Sequence, residues 1–258
     1  MTDDQDACSV PLELLEGFAR TWVDLQGGSY RNIPISNGII VHWTAADGES
    51  EALPERMYGV AGVRGDRIDP AEVPSFPINL PPGVGADGAE LVCETHILRV
   101  ASIKEAWDSL KRVGRQGVRK AEKMGCRAES MDDATYLDLC RRKNERLGSP
   151  APHPELLRTL REHFGEDNVG VQGVYAGLDA AAAVLWVVAA GYAMLVDGSS
   201  ESAHWDKNPN NLAVWSALEA LIGRGVHTVD YGFSPVGAGD RVFKKHMGGQ
   251  RIPLYRLD

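Results

Sequence analysis

Residues 169–197 read VGVQGVYAGLDAAAAVLWVVAAGYAMLVD, a run rich in small, β-branched and aromatic side chains. Short turns at Gly177 and Gly191 divide this run into segments 169–175, 180–189 and 192–197. Strands joined by such short turns pair antiparallel, because a parallel connection needs a long crossover. The run therefore predicts three adjacent antiparallel strands.

Further elements are predicted on both sides of these strands. On the C-terminal side we expect an apolar helix at 209–224 with Pro209 in its first turn, a strand at 228–233, a short helix ending at Gly248 and a strand at 251–257. On the N-terminal side the predicted elements are a strand at 126–130, a helix capped by Asp132 or Asp133 and ended by Gly148, and a helix at 154–164.

The first hundred residues carry weaker patterns. Apolar residues at helical spacing predict a helix at 12–25. Short strands are predicted at 39–43, 57–63 and 92–100, and the stretch 68–88, rich in Pro and Gly, is predicted to be loop.

A basic segment follows at 104–127, where eight Lys and Arg face three acids. Its apolar residues recur at helical spacing over 105–124, so we expect an amphipathic helix with the basic side chains on its other face. The candidate phosphate contacts on that face are Lys111, Arg112, Arg115, Arg119, Lys120 and Lys123. The alternative is a solvated helix face, the usual role of a charge run.

Composition excludes several classes of protein. The 258 residues, 43% hydrophobic, are enough for one large or two small domains. A net charge of −9 excludes a uniformly basic nucleic-acid binder, and we expect no DNA partner. No signal peptide is recognised, and the longest apolar stretch, 180–190, is too short for a bilayer, so we expect a cytoplasmic protein without membrane insertion.

The four cysteines lie far apart and form no zinc-binding spacing. We expect reduced, buried thiols, and no metal. A catalytic cysteine is the less favoured alternative.

Three motifs resemble the Fem family. These are RQGVRKAEKMG at 115–125, DYGFS at 230–234 and RVFKKHMGG at 241–249; the final RIPLY also resembles that family's closing strand. The element order after 126 is similar to that of GNAT N-acyltransferases. The resemblance implies an α+β, GNAT-like fold in the tandem Fem arrangement, with 1–125 a shortened, degenerate N-terminal half ending in a basic helix and 126–258 the acyltransferase domain.

The family resemblance implies transfer of an amino acid from aminoacyl-tRNA to an amine, with no bound cofactor. GNAT enzymes that use acyl-CoA follow their fourth strand with a Gly-rich loop whose amides hold the pyrophosphate. Residues 197–211 here read DGSSESAHWDKNPNN and contain no such loop. Fem-type proteins also lack it, because a tRNA 3′ end replaces the coenzyme.

The resemblance and the expected notch between the strands ending at Asp197 and Phe233 select candidate catalytic residues. Lys244 matches the lysine of the Fem Phe-Lys pair and is expected to stabilise an oxyanion or hold a tRNA phosphate; the alternative is a solvated lysine. Asp197 is expected to orient or deprotonate the amine, or else to form a turn. Asp230 matches the family's strand end and is catalytic or, alternatively, orients backbone.

The remaining candidates are predicted to contact substrate. Phe243 lines the channel or belongs to the core, and His204 is a base or a solvated loop residue. The predicted substrate-binding residues are Phe243, Ser199, Ser200, Tyr231, His204 and Trp205.

Three hypotheses follow. The first is an aminoacyl-tRNA-dependent aminoacyltransferase whose acceptor is a cell-wall precursor or a secondary metabolite. The second is an acyl-CoA-dependent N-acyltransferase, and the third is a non-catalytic GNAT-like binding protein.

Overall fold

The computed structural model describes residues 10–36, 38–44, 60–61, 67–69, 71, 78–82, 84, 86–235 and 237–257. The strands are β1 Ser29–Ile35, β2 Gly38–Thr44, β3 Val60–Ala61, β4 Ile78–Asn79, β5 Glu90–Arg99, β6 Cys126–Ser130, β7 Val169–Ala176, β8 Asp179–Ala189, β9 Tyr192–Ser200, β10 Thr228–Asp230, β11 Ser234–Pro235 and β12 Gln250–Leu257. The helices are α1 Leu12–Gln26, α2 Ile103–Ser109, α3 Arg112–Lys123, α4 Asp133–Leu147, α5 Leu156–Phe164, α6 Pro209–Gly223 and α7 Asp240–His246.

One large mixed sheet organises the described part of the chain. Its order is β4-β12-β5-β10-β9-β8-β7-β6, and β11 also pairs with β5. β9 and β10 are parallel, whereas the other described pairs of this sheet are antiparallel. The three consecutive antiparallel strands predicted from residues 169–197 are therefore confirmed as β7, β8 and β9. A second, small sheet has the order β1-β2-β3.

Helices cover both faces of the large sheet, and each face buries its own apolar core. On one face α1, α4 and α5 contribute residues such as Leu14, Leu139 and Leu160. On the other, α2, α3 and α6 contribute residues such as Val118 and Leu218. α6 packs between the sheet and the helices outside it, which explains why the predicted helix at 209–224 is apolar on nearly every side.

The expected continuous helix at 105–124 is wrong, because the chain breaks between α2 and α3. Leu110 and Lys111 adopt extended ψ angles. The Lys111 amide donates to the His246 carbonyl at 3.0 Å, and a Cβ on Gly114 would lie 2.2 Å from that carbonyl oxygen. Close contact with the end of α7 therefore outweighs the helical periodicity.

Several strand boundaries differ from the predictions. β9 continues to Ser200 and leads into a 3-10 helix at Ser202–Lys207 where a loop was expected. The strand predicted at 228–233 ends at Asp230. β4 lies within the predicted loop at 68–88, and of the strand predicted at 57–63 only β3 is within the described residues. Cys8 also lies outside them.

The division of the chain at residue 125 stays a prediction. The described residues before it are closely joined to those after it, since β5 lies in the middle of the large sheet, between β12 and β10. α1 also packs on α5, where Phe18 and Phe164 make an edge-to-face contact with ring centroids 5.1 Å apart.

Candidate active site

The large sheet opens where β9 and β10 separate. The two strands pair in parallel only from Thr228 opposite Tyr192 to Asp230 opposite Met194. β9 then continues to Ser200, while the chain after β10 turns at Gly232 and pairs as β11 with β5. Gly232 has φ 74°, and a Cβ there would lie 3.0 Å from the Leu195 carbonyl oxygen. The predicted notch between neighbouring strand ends is therefore present, with Gly232 at its narrow end.

A polar cluster lies where α4 crosses the free part of β9. The spacing of Tyr136, Cys140 and Lys143 places all three on one side of α4, towards Asp197 and Ser199. Lys143 Nζ lies 2.5 Å from one Asp197 oxygen, and the Tyr136 and Ser199 hydroxyls donate to the other at 3.1 and 2.8 Å. Cys140 Sγ lies 3.1 Å from Ser199 Oγ. Asp197 is thus brought together with Ser199, as predicted, and with three residues that were not predicted.

The surroundings of Asp197 determine its charge. Burial raises the pKa of this carboxyl, but the Lys143 ammonium and the hydrogen bonds from Ser199 and Tyr136 outweigh burial and hold the pKa below its ordinary value. Burial raises the pKa of Tyr136 well above its ordinary value, and the Asp197 carboxylate raises it further. Burial likewise raises the pKa of Cys140 to about 11, which makes this thiol a poor nucleophile at neutral pH.

The cluster can orient an amine better than it can deprotonate one. A carboxylate with a lowered pKa is a weak base, although it remains a good acceptor of hydrogen bonds. Lys143 donates to Asp197 and, at 3.4 Å, to the Gly198 carbonyl, and its side chain is 16% exposed. An ammonium has three protons, and no third acceptor for Lys143 occurs among the described residues.

An ordered indole lies beside this cluster, at the end of β9. Trp205 Nε1 donates to Ser200 Oγ at 2.9 Å, and Asn210 also donates to that oxygen. The Arg146 guanidinium lies 4.8 Å from the centroid of the Trp205 ring, whose residue is 50% exposed. Ser200 and Trp205, both predicted to bind substrate, therefore lie together at the edge of the notch.

His204 points away from Asp197. Its Nε2 lies 3.5 Å from an oxygen of Asp179, and its Nδ1 lies 3.4 Å from Lys207 Nζ. The contact with Asp179 attaches the 3-10 helix to the start of β8. The role of His204 in substrate binding stays a prediction.

Lys244 holds the chain on the opposite side of the notch. Its Nζ donates to the carbonyls of Gly232 and Phe233 at 2.9 and 3.0 Å and to Ser234 Oγ at 2.8 Å. Asp240 forms an ion pair with the same nitrogen at 3.2 Å and accepts a hydrogen bond from Ser234 at 2.7 Å. These three acceptors and the Asp240 carboxylate occupy the protons of the ammonium, so in this conformation Lys244 supports the turn at 232–234. Its role as an oxyanion donor stays a prediction.

Asp230 supports the same turn from within the protein. It is fully buried and accepts hydrogen bonds from the Thr95 hydroxyl, from the Tyr192 hydroxyl at 2.7 Å and from the Gly232 amide at 2.8 Å. These contacts correspond to the backbone-orienting alternative proposed for Asp230.

Two of the predicted aromatic substrate contacts, Tyr231 and Phe243, pack against the rest of the protein. The Tyr231 hydroxyl donates to the Met247 carbonyl at 2.7 Å, and burial raises the pKa of this phenol. Phe243 is partly buried and packs against the core beneath α6. Both positions agree with a core function, and their contact with substrate stays a prediction.

Sequence reasoning also missed a buried pair on β5. The Glu94 carboxylate is buried and accepts hydrogen bonds from Arg251 and Arg241. His96 is buried beside it, with Nε2 4.0 Å from Glu94 and with no hydrogen-bond partner for Nδ1 among the described residues. Burial lowers the pKa of His96, which keeps the imidazole neutral at pH 7. Alternation along the predicted strand at 92–100 was the available signal, since it places positions 94 and 96 on one face.

Five of the six basic residues predicted to contact phosphate are exposed. Lys111, Arg112, Arg119, Lys120 and Lys123 lie at the surface. Arg115 instead turns back to α2 and donates from Nη1 to the carbonyls of Trp107, Asp108 and Leu110. Arg115 therefore caps α2.

The N-terminus of α6 follows the notch, at the position where a coenzyme pyrophosphate would be held. Pro209, which has no N–H group, occupies the first turn and is buried. The Asn211 amide donates to the Asn208 carbonyl at 3.1 Å, and a Cβ on Gly117 of α3 would lie 2.5 Å from the Asn211 side chain. This helix end is consequently covered by the protein.

Within the described residues, no group of three His, Cys, Asp or Glu side chains is arranged to hold a metal ion. Nor does any helix in these residues have the length and apolar character required to cross a membrane.

Comparison with solved structures identifies the fold. FemX superposes with a TM-score of 0.67 at 14% identity, covering 99% of this chain and 95% of FemX. The C-terminal domain of a putative lysylphosphatidylglycerol synthetase from Agrobacterium fabrum gives 0.59 at 11%, covering 93% and 86% of the two chains. A GCN5-related N-acetyltransferase from Kribbella flavida gives 0.53 at 15%, covering 95% and 92%. At these identities the likeness establishes the fold alone.

A family model provides the remaining evidence. Comparison with curated proteins found no match. The model for the acetyltransferase (GNAT) domain matches residues 108–245, from the end of α2 to α7, which is more than half of the chain. The fold predicted from the sequence is thus confirmed, and the chain belongs to the acetyltransferase (GNAT) domain family.

Proposed function

We propose that this protein is an aminoacyl-tRNA-dependent aminoacyltransferase that forms an amide bond with an amine acceptor. The acceptor is a cell-wall precursor or a secondary metabolite. The observation that carries this proposal is the covered N-terminus of α6, which lacks the features that hold the pyrophosphate of an acyl-coenzyme A.

A pyrophosphate site at a helix N-terminus requires several free amide groups directed at the ligand. In α6 the first residue is Pro209, and the Asn211 amide is already bonded to Asn208. The close approach of Gly117 leaves little room for a pyrophosphate beside Asn211. An acyl donor of another kind is therefore favoured.

The Fem-like motifs lie around the notch, which supports an aminoacyl-tRNA as that donor. The DYGFS segment forms the turn at Gly232, and the Phe-Lys pair belongs to α7, where Lys244 holds that turn. The RQGVRKAEKMG segment lies in α3, whose exposed bases provide a track for tRNA phosphates.

The chemistry requires a neutral amine and a donor for the developing oxyanion. The amine nitrogen attacks the ester carbonyl carbon, a C–N bond forms, the ester C–O bond breaks, and the amine proton ends on the leaving ribose oxygen. We assign orientation of the amine to Asp197 and stabilisation of the oxyanion to Lys143. Lys143 is favoured over Lys244 because it retains one proton without a described acceptor.

The shortened N-terminal half bears on the choice of acceptor. Residues 1–125 would contribute less surface to an acceptor site than a full GNAT-like domain, which favours a small acceptor bound mainly at the notch.

The competing function is acyl transfer from coenzyme A. It is supported by the family match itself, whose description is that of an acetyltransferase domain. A non-catalytic binding protein is disfavoured by the polar cluster around Asp197, because a partly buried ion pair with its own hydrogen-bond network at the notch is typical of a functional site.

A transfer assay tests the proposal. Total tRNA charged with a mixture of radiolabelled amino acids is incubated with the protein and a library of small amines. We expect label to pass to an amine in an amide linkage that resists mild base. Transfer from radiolabelled acetyl-CoA to the same amines, with none from charged tRNA, would overturn the proposal.

A further inference from the structure

The outer strand of the large sheet, β6, carries a surface that fits a second copy of itself. β6 stands at the end of the strand order, and among the described residues its hydrogen-bonded neighbour is β7. Arg127, Ala128, Glu129 and Ser130 are all exposed, on both faces of the strand. The side of β6 opposite β7 is therefore open to another strand from residue 127 to residue 130, whereas Cys126 is buried.

The register of β6 shows which of its backbone groups point outwards. The Met131 amide donates to the Val171 carbonyl of β7 at 3.1 Å. Backbone groups alternate along a strand, so Arg127 and Glu129 also direct theirs towards β7. Cys126, Ala128 and Ser130 consequently direct their N–H and C=O groups away from the sheet.

These outward groups are self-complementary about Ala128. When two copies pair antiparallel with the two Ala128 residues opposite each other, Cys126 of each copy lies opposite Ser130 of the other. The opposed Ala128 pair exchanges two backbone hydrogen bonds, and the two Cys126–Ser130 pairs add up to about four more only where the second copy reaches the backbone of Cys126, which is 6% exposed.

The charges on β6 match the same register. Arg127 of each copy lies opposite Glu129 of the other, at a position between hydrogen-bonded pairs, where opposed side chains approach most closely. Edge strands that avoid association usually carry charges that repel a second copy. On β6 the two charges have opposite signs, so this register forms two ion pairs between the copies, each joining Arg127 of one copy to Glu129 of the other.

An exposed apolar side chain lies next to β6. Met124, just before β6 on the chain, is 48% exposed. A large exposed apolar residue beside an open strand is typical of an interaction surface.

We propose that two copies of this chain associate through β6, joining their large sheets into one continuous sheet across a two-fold axis. The pairing strand has five residues, so the interface is small and the association is weak. The association is independent of the proposed enzymatic activity, since β6 carries none of the notch residues.

Sedimentation equilibrium over protein concentrations from about 1 to about 200 μM tests the proposal, because a weak dimer is populated only near its dissociation constant. We expect the wild type to change from monomer to dimer within this range. Glu129→Arg places two Arg pairs in opposition and should give a monomer throughout. The double variant Arg127→Glu, Glu129→Arg restores opposite charges and should restore the dimer.

A matched control and a fold check complete the experiment. Glu13→Arg introduces the same change of charge at an exposed position of α1 and should leave the dimer intact. Circular dichroism verifies that each variant is folded. A wild type that stays monomeric, a Glu129→Arg variant that dimerises like the wild type, or a double variant that does not recover dimerisation would each overturn the proposal.

Discussion

Lys143 Nζ lies 2.5 Å from Asp197 Oδ1, and this ion pair joins the middle of α4 to the free end of β9. Tyr136 and Ser199 donate to the other oxygen of the carboxylate. The pair therefore determines both the charge and the position of the polar groups on one side of the notch.

Replacing either partner should reduce activity. Lys143→Ala removes the proposed oxyanion donor, and we expect kcat to fall by about 100- to 1000-fold in the transfer assay. Stability should fall by about 1–3 kcal/mol, between the values for exposed and buried ion pairs, because Asp197 remains one-third exposed. Arg141→Ala, on the outer side of the same helix, is the control and should change neither quantity appreciably. Near-normal kcat in Lys143→Ala would remove Lys143 from the mechanism.

Lys244 and Lys245 form a second matched pair. Lys244→Ala removes three hydrogen bonds from the turn at 232–234, so we expect the free energy of unfolding to fall by about 2–3 kcal/mol, together with a loss of kcat. Lys245 is exposed, and Lys245→Ala should stay within about 0.5 kcal/mol of the wild type. Urea denaturation and the transfer assay measure both effects. A loss of kcat with unchanged stability would instead return the oxyanion role to Lys244.

The basic face of α3 should determine the salt dependence of tRNA binding. Each phosphate contact contributes about one unit to the slope of log K against log salt concentration, so Lys120→Ala and Arg112→Ala should each reduce this slope by about one. Arg158→Ala provides the control, because Arg158 is exposed on α5 and pairs with Glu155 and Glu162. Filter binding at several salt concentrations gives the slopes. Equal slopes in all four proteins would show that this face does not contact tRNA.

His96 should make the fold sensitive to acid. Burial lowers its pKa below the ordinary value of 6.5, so below about pH 6.5 the unfolded chain binds a proton that the folded chain does not. Stability should therefore fall as the pH decreases from 7, at a slope of at most about 1.4 kcal/mol per pH unit from this group. The charged neighbours of His96 are Glu94, Lys244, Asp240 and Arg251. They are unchanged in a variant at position 96, so a difference in pH dependence between that variant and the wild type comes from the imidazole.

His96→Gln removes this proton and should flatten the dependence between pH 5 and 7, as measured by urea denaturation. His153→Gln replaces an exposed histidine and should retain the wild-type slope. The same slope in His96→Gln as in the wild type would exclude the buried imidazole as the cause.

Much of the fold follows from local pattern. Turn glycines and helical periodicity predicted α1, α4, α5, α6 and the central strands, because these signals lie within about fifteen residues of chain. β1 was missed because its residues alternate weakly and include Pro34. The break between α2 and α3 depends on contact of Lys111 with His246, far along the chain, and no local pattern carries that information.

The candidate site also contains residues that local sequence signals predicted and residues that they did not. Asp197 and Ser199 lie at a predicted strand end and Lys244 lies in a family motif, so the sequence alone proposed them as candidates. Tyr136, Cys140 and Lys143 were not, although their spacing places them on one side of α4. Their importance appears only when β9, 54 to 61 residues later, is packed against that side.

The central claim is that the acyl donor is an aminoacyl-tRNA, and equilibrium binding of the donor tests it most directly. Isothermal titration calorimetry would compare acetyl-CoA with a pool of tRNAs that carry amide-linked amino acids, which do not hydrolyse during the measurement. We expect saturable binding of the aminoacylated pool, weaker binding of uncharged tRNA, and no binding of acetyl-CoA at micromolar concentrations. Micromolar binding of acetyl-CoA, with no preference for charged over uncharged tRNA, would contradict the account.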